Sequence, residues 1–98
     1  MKKQPFEYTV LVVDDSIETV ELIKRNLEGA GYQVYTANHV QGAVSILDSV
    51  VIDLVITDLK MPDQSGLQLV RHVMENFKGV GVLVITGFPS IQGAVESI

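Results

Sequence analysis

Val10-Leu11-Val12-Val13-Asp14-Asp15 and Leu54-Val55-Ile56-Thr57-Asp58 are two short apolar runs that each end in carboxylates. Runs this continuously apolar read as strands covered on both faces, the mark of a parallel sheet packed between layers of helices. If the two are neighbours in such a sheet, their carboxyl ends open into one crevice, where open α/β sheets bind their ligands. Asp14, Asp15 and Asp58 then stand together as a candidate divalent-cation site.

The rest of the chain repeats the alternation that these runs begin. Tyr8 to Val13 reads as a strand, and Ser16 to Ala30 as a helix with Val20, Ile23, Leu27 and Ala30 at helical spacing and Ser16 placed to cap it. Gly29 and Gly31 punctuate the helix end; Tyr32 to Thr36 is a second strand, and Val40, Ala43, Val44 and Leu47 line a second helix. Asp53 to Thr57 gives the third strand, followed by a loop through Pro62 and Gly66 and a helix bearing Leu67, Val70, Val73, Met74 and Phe77. Val80 to Ile85 is the fourth strand, and Ser90 opens a last helix with Ile91, Ala94, Val95 and Ile98. Right-handed crossovers turn this order into a doubly wound α/β sheet with helices on both faces.

Composition narrows the chemistry. At 98 residues the chain is one domain, and a net charge of -5 argues against a general phosphate-backbone binder while permitting a hard-cation site. Zero cysteines remove disulfides, thiolate catalysis and cysteine zinc sites, and fit a reducing, cytoplasmic setting. No apolar stretch approaches a membrane span, and Met1 to Glu7 reads as a short flexible leader. Gly29 and Gly31 are not a dinucleotide fingerprint, because Asp14-Asp15-Ser16 occupies the place after the first strand. No Walker loop is present, so no nucleotide is implied. His39 and His72 share no ligand spacing and read as surface or capping residues.

Two adjacent carboxylates ahead of a helix can serve the helix alone, since its N-terminus favours negative charge. A third changes the weighing: two like charges about 4 Å apart repel by about 4 kcal/mol at an effective dielectric of about 20, so the cluster calls for a proton or a cation. Mg²⁺ suits carboxylates, water and a backbone carbonyl, and Lys60, two residues beyond Asp58, is placed to supply the carbonyl. Aspartate is a covalent phosphate acceptor type, and Asp58 is the better candidate because Asp14 and Asp15 come as a ligand pair. It faces a turn built by Met61, Pro62 and Gly66. Thr86, at the end of the fourth strand, offers a hydroxyl to a phosphoryl oxygen, although such a residue also serves packing or capping. Gly87 leaves room for a phosphoryl group, or is an ordinary turn glycine ahead of Phe88-Pro89-Ser90.

These residues resemble the receiver domain of a bacterial two-component response regulator. The resemblance rests on Asp14-Asp15-Ser16, on Asp58-Leu59-Lys60-Met61-Pro62-Asp63 with Ser65-Gly66, and on Val84-Ile85-Thr86-Gly87, which together span most of the chain. It implies that Asp58 accepts phosphoryl from a histidine kinase phosphohistidine. It further implies that Asp14 and Asp15 position Mg²⁺, and that Thr86 moves toward the phosphoryl group to switch the helix 4 face. Lys60 and Phe88 fall where the family tunes how fast water removes the phosphoryl group. The Asp58 to Asp63 stretch with Thr86-Gly87-Phe88-Pro89 is similar to receivers of transcription-activating regulators, so a downstream output domain is expected in the parent protein.

The resemblance also implies a fifth strand ending in a lysine and a fifth helix. Neither falls before Ile98, and Lys60 and Lys78 lie in the wrong places for that lysine. The expected architecture is therefore flavodoxin-like with order 2-1-3-4, strand 5 and helix 5 absent, and residues 8–98 forming a receiver incomplete at its C-terminus. Strand four would be an open edge. We expect a fragment, an incompletely described domain, or a chain that pairs that edge or helix 4 with another copy; it should bind Mg²⁺ weakly and accept phosphoryl poorly. Two other readings share the acids: a Mg²⁺-dependent phosphatase or phosphotransferase with an aspartyl nucleophile, and a degenerate receiver that serves only as an interaction module. The first is disfavoured by short loops and by lysine, rather than a general acid, two residues after Asp58. The second is disfavoured by the retention of all three acids and Thr86.

Overall fold

The computed structural model describes residues 7–58 and 66–85. Within them the order is β1 (Thr9–Val13), α1 (Ile17–Gly29), β2 (Gln33–Ala37), α2 (Val40–Ser49), β3 (Leu54–Asp58), α3 (Gly66–Asn76) and β4 (Gly81–Ile85). The strands form one parallel sheet ordered β2-β1-β3-β4. The expected order 2-1-3-4 is thus the observed one. The expected leader (most of it), the Lys60 loop, Thr86-Gly87-Phe88 and the last helix lie outside the described residues.

Alternation along β1 and β3 divides the core between two layers. Val10, Val12 and Ile56 meet Val20, Ile23 and Leu27 of α1, whereas Leu11, Val13 and Val55 meet Ala43 and Leu47 of α2 and Leu69 and Val73 of α3. The sheet is therefore doubly wound, and its two central strands are covered on both faces. The edges differ. β2 exposes Gln33 and Tyr35, and Leu83 and Val84 of β4 are 51% and 39% exposed. The apolar runs of the two central strands are thus buried from their second residue on, whereas that of β4 is partly exposed. Among the described residues β4 pairs with β3 alone.

Local chemistry sets the helix ends. Ser16 caps α1, its Oγ accepting from the Thr19 N–H at 3.3 Å. At the other end the Tyr32 N–H donates to the Leu27 carbonyl and the Gly31 N–H to that of Glu28, a Schellman closure in which Gly31 takes φ 102°. Of the two punctuating glycines, Gly31 makes the turn and Gly29 is still helical. His39 caps α2 by accepting the Gly42 N–H at Nδ1, 2.8 Å away. A Cβ on residue 42 would stand 2.7 Å from the His39 ring, so glycine makes room for this cap. The capping role expected for His39 is the observed one.

Candidate metal centre

Register brings the acids together. Val13 of β1 lies opposite Thr57 of β3, so the next residues, Asp14 and Asp58, emerge side by side at the carboxyl ends of the two central strands. One oxygen each from Asp14, Asp15 and Asp58 falls within 4.8 Å of the others. Asp14 and Asp58 are 5% and 6% exposed, and Asp15 is open to solvent. Sequence reading ends the third strand at Thr57; in the structure Asp58 is its last residue, and Asp53 lies ahead of it. The acceptor candidate is held by the ladder itself, through its pairing with Ile85.

Asp14 is fixed from two directions. Its N–H donates to the Ala37 carbonyl at the end of β2, 3.2 Å, and its Oδ1 accepts the Ser16 N–H, 2.9 Å. The same turn that orients this carboxylate begins α1, which explains why the acid pair and the helix cap are consecutive in sequence. Burial pushes the Asp14 carboxyl above the usual range, opposed by the Ser16 N–H and reinforced by Asp15 and by the charge of Asp58. Two nearly buried carboxylates and an exposed third, all hard oxygen donors, fit a small divalent cation that leaves positions for water or phosphoryl oxygens. The three acids named from sequence therefore converge. Lys60, Thr86, Gly87 and Phe88 lie outside the described residues.

Sequence reading passed over a fourth residue here. Thr57 is fully buried, and its hydroxyl donates to the Asp58 carbonyl at 3.0 Å. The available signal was a hydroxyl residue ending the aliphatic run Leu54-Val55-Ile56, immediately before Asp58.

Residues 10–98 match the response regulator receiver domain family. This chain belongs to that family. The receiver is 32% identical over 89 residues to the transcriptional regulatory protein ZraR of Klebsiella oxytoca, covering 91% of the chain and 20% of that protein. It is 34% identical over 88 residues to GlrR of Escherichia coli K12, covering 90% of the chain and again 20% of the relative. The receiver thus spans about a fifth of the length of these curated relatives. Among solved structures, chemotaxis response regulator CheY4 of Vibrio cholerae superposes with TM-score 0.79 at 31% identity, covering 91% of this chain and 76% of that one. TrrA of Thermotoga maritima, solved in complex with Mg²⁺-BeF, also gives TM-score 0.79 at 31% identity, covering 92% and 78%. The receiver therefore has the CheY-like, flavodoxin-type fold and the phosphoacceptor signalling role of its family. No described helix is long and apolar enough to cross a membrane.

Proposed function

We propose that Asp58 is the phosphoacceptor of this receiver, that Asp14 and Asp15 hold Mg²⁺ with it, and that the phosphoryl group comes from a sensor histidine kinase. The observation that carries this reading is the meeting of the Asp14, Asp15 and Asp58 oxygens within 4.8 Å at the ends of β1 and β3. Bound Mg²⁺ would neutralise charge on the acids and on phosphoryl oxygens. An Asp58 carboxylate oxygen forms the new bond to phosphorus as the phosphorus–nitrogen bond of the donor phosphohistidine breaks, and the imidazole nitrogen leaves with the electron pair. Ser16 holds Asp14 in place through its N–H, and the β3 ladder holds Asp58, so little rearrangement precedes attack.

The remaining assignments follow the sequence motif. The Lys60 carbonyl completes the metal ligands, Thr86 donates to the phosphoryl group and carries the switch to helix 4, and Gly87 leaves the group access. The Lys60 and Phe88 side chains screen it from attacking water, and alanine at both would shorten the phosphoryl lifetime. Residues 8–98 belong to the receiver, and Met1 to Glu7 lead into it. It acts as a regulatory phosphoacceptor, in the cytoplasm, passing its state to an output domain of the parent protein. A second copy could dock through helix 4 or the β4 edge; no direct contact with nucleic acid or membrane is assigned to the receiver.

Incubation with Mg²⁺ and a small phosphoryl donor such as acetyl phosphate, followed by intact mass, tests the reading. Base-labile addition of a single phosphoryl group, lost in Asp58→Asn, is the expected result. Catalytic release of phosphate without accumulation would point to an aspartyl phosphatase, and no reaction would point to an interaction module.

A further inference from the structure

We propose that Thr57 is a positioning residue for the acceptor, acting through the Asp58 backbone carbonyl; this rests on the reading of Asp58 as phosphoacceptor. The alternation of β3 puts the Thr57 side chain on the α2 and α3 side of the sheet, in the layer of Leu11, Val13, Val55, Leu69 and Val73. That layer is aliphatic. Valine has the same shape as threonine and enters it without a hydroxyl to desolvate, so a hydroxyl at a fully buried position needs a purpose beyond packing. Its partner is the carbonyl of the next residue, 3.0 Å away.

The geometry gives that contact leverage. Asp58 is the last residue of β3, and the carbonyl that the Thr57 hydroxyl holds belongs to the peptide that leads out of the strand. The Thr57 hydroxyl restrains that following peptide from the opposite face of the sheet, and the orientation of the two peptides about the Asp58 Cα sets where its carboxylate points. A buried side chain on the helix side thereby steers a carboxylate that must stay within reach of Asp14 and Asp15.

The test compares Thr57→Val, Thr57→Ser and Ile56→Val with the wild-type chain, recording phosphorylation rate by acetyl phosphate against Mg²⁺ concentration and thermal midpoint. Thr57→Val is expected to slow labelling about tenfold and to raise the Mg²⁺ concentration for half-maximal rate, the low end of what losing a ligand-orienting partner does. Thr57→Ser keeps the donor and should return to within about twofold of wild type. Ile56→Val, a mild packing loss one residue away, should change the midpoint but not the Mg²⁺ dependence. Equal labelling of wild type and Thr57→Val overturns the role of the hydroxyl. So does a Thr57→Ser as slow as Thr57→Val, which would assign the effect to the methyl group, or an Ile56→Val slowed to the same extent, which would assign it to stability. A wild-type chain that takes no phosphoryl group fails the acceptor reading itself, and the inference falls with it.

Discussion

The two ends of the central sheet both carry carboxylates, and they use them in opposite senses. At the amino ends of the strands, half-buried Asp53 is surrounded by backbone: its Oδ2 accepts the Thr9 N–H at 2.8 Å, its own N–H donates to the Thr9 carbonyl at 2.8 Å, and its carbonyl accepts from Gly81 at 2.9 Å. One residue ties β1, β3 and β4 together. At the carboxyl ends, Asp14, Asp15 and Asp58 face one another, and burial with like charge pushes the Asp14 carboxyl up. The first end spends its acid on the fold. The second gathers three like charges within 4.8 Å of one another, an arrangement that a bound cation would stabilise.

Breaking the structural end should have the largest effect on stability. Asp53→Ala removes a charged acceptor from a strand N–H and is expected to cost about 2 kcal/mol, read as a lower midpoint in urea or heat. Mg²⁺ should act only at the other end. A cation at ten times its dissociation constant stabilises by about 1.4 kcal/mol through mass action, so the thermal midpoint of wild type and Asp53→Ala should both rise, while Asp14→Asn should barely respond. An Asp53→Ala chain that lost the Mg²⁺ response would merge the two ends and defeat the distinction.

Without metal the sign at Asp14 reverses. Its carboxyl binds a proton more tightly folded than unfolded, so its contribution to stability falls as pH rises from the unfolded range near 3.9 through its raised folded value. Asparagine keeps an oxygen for the Ser16 N–H and discards the charge. Asp14→Asn should therefore be more stable than wild type at neutral pH, because it removes a buried charge and its repulsion by Asp15 and Asp58, and the gain should shrink as pH falls toward the ordinary carboxylate range. Denaturation at several pH values, in chelator, gives the difference directly; a destabilised Asp14→Asn at pH 7 would show that the cluster is not under strain. The smallest effect belongs to a neutral contact. His39→Ala removes the α2 cap and should cost about 0.5 to 1 kcal/mol, with no change in the response to Mg²⁺.

Much of this was legible in the residues. The spacing of Val20, Ile23 and Leu27, the Ser16 cap and the turn at Gly31 are written locally, because helix periodicity and left-handed turns depend on residues a few positions apart. The motif around Asp14, Asp15 and Asp58 was legible for the same reason, since all three follow apolar runs directly. Less legible were Thr57 and Asp53, which look like ordinary strand-end residues until the partner of each is known. The degree of burial along each run was not legible, because burial belongs to the sheet: Val12 of central β1 is fully buried, whereas Leu83 of β4, the strand expected at an edge, is 51% exposed.

The sequence by itself determined the alternation of strand and helix, the parallel class of the sheet, and which residue types end each strand, because these follow from short-range periodicity and capping. The resemblance already implied that β3 lies beside β1; only the tertiary structure decided the register that pairs Val13 with Thr57, so that Asp58 emerges beside Asp14. The reason is physical. Register is fixed by two apolar layers closing at once on either side of the sheet, a condition on residues some forty positions apart that no local pattern contains.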